Sequence, residues 1–337
     1  MKKMTALLLA LLAGSTHAET LAEYGRQCAE QIAEIPAFSC MAGQEIPITV
    51  DGKPVPADQA PPTCDRPSLL PQPTAQSQCV PGSRALVLRD DKAAQVSAIC
   101  RKQVARPAGS PWFDEINVIS HSLKNGKTCW FTAKVTPPPP SMPASGIDGR
   151  WVPSPSTLTA KPPPASPDGV KAQPADKVWQ TPHQVAWGQP ACISCHDSGP
   201  FMYSPYIAQT TQLPGDPFGV YEPKAIGEDF RRAWAKLHAF GITTRGNTCT
   251  ACHRMGNMNS CQVAMQQSSG NAPQEGGNAW SKKFPQSHWM SPGNLHSKAQ
   301  WDEQFSESLK KLAACCADPK GAGCQVVEYG PKGSAKR

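Results

Sequence analysis

Beyond its first eighteen residues the chain has no stretch apolar enough to cross a bilayer, so no membrane span is expected in the mature protein. Charge of either sign is also modest. Lys and Arg total 33 against 26 Asp and Glu, a formal net charge of +7 that falls to +5 if Lys2 and Lys3 are removed. So small an excess serves solubility and gives no reason to expect a nucleic-acid partner. Two further absences concern cysteine. No second C-x-x-C lies the 15–20 residues away that a paired zinc knuckle needs, and no βαβ pattern flanks a C-x-x-C as in thioredoxin-like redox proteins.

What is present begins with an N-terminal leader pattern. Met1-Lys2-Lys3 precedes an apolar run from Ala6 to Ala13, and Ser15-Thr16-His17-Ala18 supplies small residues before Glu19. Residues 1–18 read as a signal peptide cleaved near Ala18. No cysteine directly follows the apolar run, which argues against lipid attachment there. The expected location is the periplasm.

Cysteine is abundant, and its placement is informative. Cys192-Ile193-Ser194-Cys195-His196 and Cys249-Thr250-Ala251-Cys252-His253 are both C-x-x-C-H strings. With 14 Cys and 8 His in 337 residues, composition alone would yield about 0.01 such strings. The chemistry requires this spacing: one helical turn aligns two sulfurs for thioether bonds to a porphyrin, and the next residue carries an imidazole under the iron. The expected cofactors are two haem c groups, bound covalently through Cys192, Cys195, Cys249 and Cys252, with His196 and His253 as proximal iron ligands. The remaining ten cysteines are Cys28, Cys40, Cys64, Cys79, Cys100, Cys129, Cys261, Cys315, Cys316 and Cys324. An even number in an exported chain predicts up to five disulfides. Six precede the haem region and four share it, so each part could pair internally.

Residues 19–135 read as a disulfide-stapled α+β domain. A helix is expected over Leu21–Ile35, and a hairpin at Ile46–Val50 turning on Asp51-Gly52. A strand is expected at Ala85–Leu88, and a second hairpin joins Ile116–Ser120 to Thr128–Thr132. Residues 136–176 hold Pro137–Pro140 and Pro162–Pro164, a proline-rich linker favouring extended polyproline II, with Trp151 as an anchoring point. Residues 177–326 read as a mainly α, loop-rich dihaem cytochrome c domain. Its helices are expected at Cys192–Asp197, Gly227–Ala239, Cys249–Met255 and Lys298–Cys316. Only 53 residues separate Cys195 from Cys249, which favours both haems inside one domain. Residues 327–337 read as a disordered tail.

The sixth iron ligands have four candidates. Met290 precedes Ser291-Pro292, while His183 and His238 lie nine and eleven residues before their respective C-x-x-C-H strings. Met202 lies close after the first string. Each also has an ordinary reading as a packed core side chain.

On Cys192, Cys195, His196, Cys249, Cys252 and His253, supported by Met290, residues 177–326 resemble an exported dihaem c-type cytochrome. The resemblance implies electron transfer between redox-protein partners, with both irons six-coordinate. Two alternatives stay open. One is a dihaem redox enzyme with one open iron acting on a small molecule such as peroxide or a sulfur compound. The other is a haem-containing sensing or binding module.

Overall fold

The computed structural model describes residues 18–68, 75–135, 146–156, 166–167, 169–171, 173–188, 191–202, 204, 206–210, 224–250, 253–261 and 298–328. Residues 1–17, the poly-proline runs, Cys252, Met290 and residues 329–337 lie outside them.

Helix α1 (Leu21–Gln31) starts from a capping box. The Thr20 hydroxyl accepts from the Glu23 backbone N–H, and the Glu23 carboxylate accepts from the Thr20 N–H. Strands β1 (Gln44–Glu45), β2 (Thr49–Val50) and β3 (Lys53–Pro54) follow. β2 and β3 form the expected tight hairpin. Asp51 and Gly52 take φ of 51° and 74°, the left-handed conformation at both central positions that a type I′ turn demands. The long strands are β4 (Arg84–Asp90) and β5 (Ala94–Arg101). After the short β6 (Trp112–Phe113) come two more long strands, β7 (Glu115–Ser122) and β8 (Lys127–Lys134). All are rich in β-branched and aromatic residues.

β9 (Ile147–Asp148) pairs with β6, and Val152 bridges to Phe38. Residues 146–156 therefore strap back onto the first part of the chain. The strap is fixed further where the Ile35 N–H donates to Ser156 Oγ and the Trp179 indole donates to the Pro153 carbonyl.

Downstream lie the short helices α2 (Ala175–Val178), α3 (Pro182–Trp187) and α4 (Cys192–Cys195). They are followed by β10 (Lys224–Ala225), α5 (Glu228–Leu237), β11 (Phe240–Thr244) and β12 (Met255–Gly256). Helix α6 (Lys298–Ala317) and β13 (Cys324–Glu328) complete the order. The main sheet runs β1-β4-β5-β7-β8-β10, antiparallel except that β10 joins β8 in parallel. Its two faces differ. Val96, Ala98, Cys100, Ile116, Val118, Cys129, Phe131 and Ala133 alternate onto an apolar face. Gln95, Arg101, Glu115, His121, Trp130 and Thr132 share the opposite face, which is buried yet largely polar.

The disulfides pair within each part, as the cysteine distribution allowed. Cys28–Cys129, Cys40–Cys100 and Cys64–Cys79 staple the first part, while Cys261–Cys316 and Cys315–Cys324 staple the second. Among the described residues no helix is long and apolar enough to cross a membrane.

The expected mainly α, loop-rich haem domain is corrected. The chain is a sheet-rich α+β fold: the second part lends β10 to the main sheet and builds its own antiparallel sheet, β12-β11-β13, covered by α6. The cause is local. Ile242-Thr243-Thr244 and Val326-Val327 are β-branched runs, and they pair along five residues of β11 and β13. Of the expected helix over Cys249–Met255, the described residues are not helical: Cys249 and Thr250 lie in a turn and Met255 enters β12. Within the first part the α+β expectation matches the architecture.

Candidate functional site

α5 carries the second part onto the main sheet. Phe230, fully buried, stacks on Tyr24 of α1 at 5.1 Å between ring centroids and on Trp130 of β8 at 5.5 Å. Trp234, one turn on, stacks on Trp130 at 6.4 Å. Tyr24 Oη accepts from the Trp130 backbone N–H at 3.0 Å. These rings belong to one continuous core that also takes in Ile193, between the first pair of cysteines.

α4 is the first C-x-x-C-H turn. Its backbone closes with the His196 N–H donating to the Cys192 carbonyl at 3.0 Å, so the two thiols and the imidazole are presented on one turn, as the spacing predicts. Cys192 and Cys195 are outside the disulfides. Burial pushes the Cys192 thiol up to about 11, against a hydrogen bond with Thr132 that favours the thiolate. Burial raises the Cys195 thiol as well, opposed by hydrogen bonds from Asn259 and Ser194. Thiols held neutral in this way are poor nucleophiles, which argues against thiol–disulfide exchange as their task. Burial holds His196 down at about 4, although hydrogen bonds to the backbone of Pro200 and Gly199 act the other way. His196 Nδ1 is buried and has no hydrogen-bond partner.

The second string lies beside the first. Asn247 Oδ1 accepts from the backbone N–H of Cys249 and Thr250, and the His253 N–H closes on the Cys249 carbonyl at 2.8 Å. Cys249 is outside the disulfides and half-buried. His253 keeps an exposed edge, while burial of the rest of the ring lowers its pKa. Residues 254–260 then run along the first turn. Asp197, fully buried, accepts from the Met258 N–H at 2.8 Å and from the Ser260 hydroxyl. Burial raises its carboxyl to about 6, against those hydrogen bonds. Ser198 Oγ donates to the Arg254 carbonyl at 3.2 Å, and Asn259 Nδ2 donates to Ser194 Oγ at 3.1 Å. These bonds bring the segment after the second string against the first turn.

The expectation of two haem c groups is corrected. Ten of the fourteen cysteines are closed in disulfides. Ile242, Leu309, Leu312 and the disulfide cysteines Cys261 and Cys315 form the core beside the second string, while the aromatic cluster on α5 and the sheet packs beside the first. Among the described residues, no group of three or more His, Cys, Asp or Glu could hold a metal ion. Two complete haem centres are not assembled.

The candidates for a sixth ligand are scattered. His183, on α3, donates or accepts at Nδ1 with Asp229 Oδ1 at 3.0 Å, and its side chain is largely exposed. Asp229 also accepts from the Trp187 indole. His238 ends α5 in a left-handed conformation (φ 51°), which turns it to solvent edge-on to Phe240 instead of along the Trp234 face. Met202 is half-buried. Met290 and Cys252 lie outside the described residues. Thr132, Asp197 and Asn259 were not singled out in the sequence. Asp197 adjoins a string, but nothing local marks Thr132 or Asn259, whose contacts span 60 to 65 residues.

Compared with known proteins, the chain matches no family model, no curated protein and no solved structure.

Proposed function

We propose that this chain is an exported electron-transfer protein, working from the Cys192–Cys195–His196 turn and exchanging electrons with other redox proteins. The observation that carries the reading is His196: a half-buried imidazole whose Nδ1 is buried without a hydrogen-bond partner, on the same turn as two thiols outside any disulfide. Five disulfides and the leader pattern support export to an oxidising compartment such as the periplasm. No count of bound groups enters this reading.

The test is the rate of electron exchange between the exported chain and a small soluble mediator, followed by stopped flow. His196→Ala should slow it at least tenfold, while Cys249→Ser should leave most of it. Equal exchange by wild type and His196→Ala would overturn the reading.

A further inference from the structure

Two hairpin tips and the start of β10 meet at one end of the main sheet. Residues 91–93 join β4 to β5, and residues 123–126 join β7 to β8. Backbone bonds hold the three in a row. The Leu123 N–H donates to the Ala93 carbonyl at 3.1 Å, and the Lys224 N–H donates to the Gly126 carbonyl at 2.7 Å. Leu123 is 43 % exposed, more than any other large apolar side chain among the described residues. Lysines accompany it on all three segments. Lys92, Lys124 and Lys224 are exposed, and Lys127 is half-buried with its ammonium on Gln31 at 2.7 Å. The carboxylates of these tips are Asp90 and Asp91, and Asp91 is engaged by Arg89 at 2.7 Å. Lys127 and Lys224 are register partners on neighbouring strands, and like charges set opposite one another cost stability. One exposed leucine, or one solvated lysine, is ordinary. Their convergence on adjacent tips, with two lysines opposed in register, is not.

We propose that this end of the main sheet docks on an anionic lipid surface, with Leu123 entering the boundary between headgroups and acyl chains and the lysines meeting lipid phosphates. The inference stands apart from the proposed electron transfer and uses no group bound at either C-x-x-C-H turn. Charge complementarity selects the occupant. An aliphatic tip flanked by lysines matches the layering of a bilayer, charged outside and apolar within. An acidic protein face would supply the counter-charge but has no use for a protruding leucine. One leucine gives little anchoring alone, so the lysines carry most of the attraction and the contact is reversible and salt-sensitive.

The experiment is cosedimentation of the full exported chain with vesicles of phosphatidylglycerol and phosphatidylcholine in equal parts, beside vesicles of phosphatidylcholine alone. Wild type should bind the anionic vesicles about tenfold more tightly, and salt at about 1 M should erase the difference. Lys92→Glu/Lys124→Glu should weaken binding about tenfold. Leu123→Ser should weaken it about threefold, and Leu123→Trp, which keeps an interfacial side chain, should bind as wild type does. Val326→Ser/Val327→Ser, at the exposed valines of β13, should bind unchanged. All of these side chains are exposed, so folding is not at stake. Equal binding to both kinds of vesicle, or binding to neither, would overturn the proposal. So would a loss from the β13 variant as large as that from Leu123→Ser, or no loss from Leu123→Ser. Binding to poly-L-glutamate without binding to anionic vesicles would assign the patch to an acidic protein and overturn the lipid reading.

Discussion

Thr132 Oγ1 lies 3.8 Å from Cys192 Sγ, so the main sheet touches the first cysteine of the first C-x-x-C-H turn directly. Thr132 sits on β8 and also donates to Asn117 Oδ1, while the Asn117 amide donates to the Glu115 carboxylate. The polar face of the sheet is in this way continuous with the candidate site. The disulfide-stapled first part is therefore a wall of the site as well as a scaffold beside it.

Tyr24→Phe tests the joint between α1, β8 and α5. The substitution keeps the ring stacked on Phe230 but removes the acceptor for the buried Trp130 N–H. Leaving that donor unsatisfied should cost about 1–3 kcal/mol in denaturant unfolding. Phe230→Ala, which empties a fully buried position, should cost about 3–5 kcal/mol. A loss below about 0.5 kcal/mol for both would show that the aromatic cluster does not hold the two parts together.

The disulfides should differ in weight according to the loop each closes. Cys28–Cys129 spans 101 residues and Cys315–Cys324 spans 9. Replacing both members of the first pair by Ser should destabilise by about 4–5 kcal/mol, against about 2–3 kcal/mol for the second. Unfolding of the two double variants under non-reducing conditions checks the order. A larger loss from the Cys315–Cys324 variant would contradict it.

His121 gives a pH dependence of known sign. Burial lowers its pKa to about 4, below the ordinary value of 6.5. The unfolded chain therefore binds the proton more tightly, and stability present above pH 6.5 is lost as pH falls toward 4, to about 3 kcal/mol at most. Asp197 has the opposite slope: burial raises its carboxyl to about 6, so its contribution falls as pH rises from 3.8 to 6. His121→Gln should remove about one proton from the slope of unfolding free energy between pH 4 and 6.5. Parallel curves for wild type and variant would contradict the burial of a neutral imidazole.

Elements with local signals were legible in the sequence. The Asp51-Gly52 and Asn125-Gly126 turns and the amphipathic α5 each depend on residues within a turn of one another. Leu21–Ile35 was expected as one helix and stops at Gln31, ahead of Pro36. The β12-β11-β13 sheet was missed because two of its strands are short or lie after long polar stretches, and its pairing joins residues some 80 apart. His238 was placed on an apolar helix face by periodicity alone, whereas the helix ends there in a left-handed cap. The first C-x-x-C-H turn was legible as spacing. Its burial, its orphaned imidazole nitrogen and its hydrogen bonds to residues 254–260 depend on tertiary contacts that no local pattern encodes.

The most direct measurement is a reductive titration of the exported chain with a reductant too mild to open structural disulfides, counting electrons taken up per chain. Wild type should take up electrons reversibly, and Cys192→Ser/Cys195→Ser should lose at least half of that uptake while retaining its five disulfides. Undiminished uptake in the double variant, or no uptake by the wild-type chain, would contradict an electron-transfer role centred on the Cys192–Cys195–His196 turn.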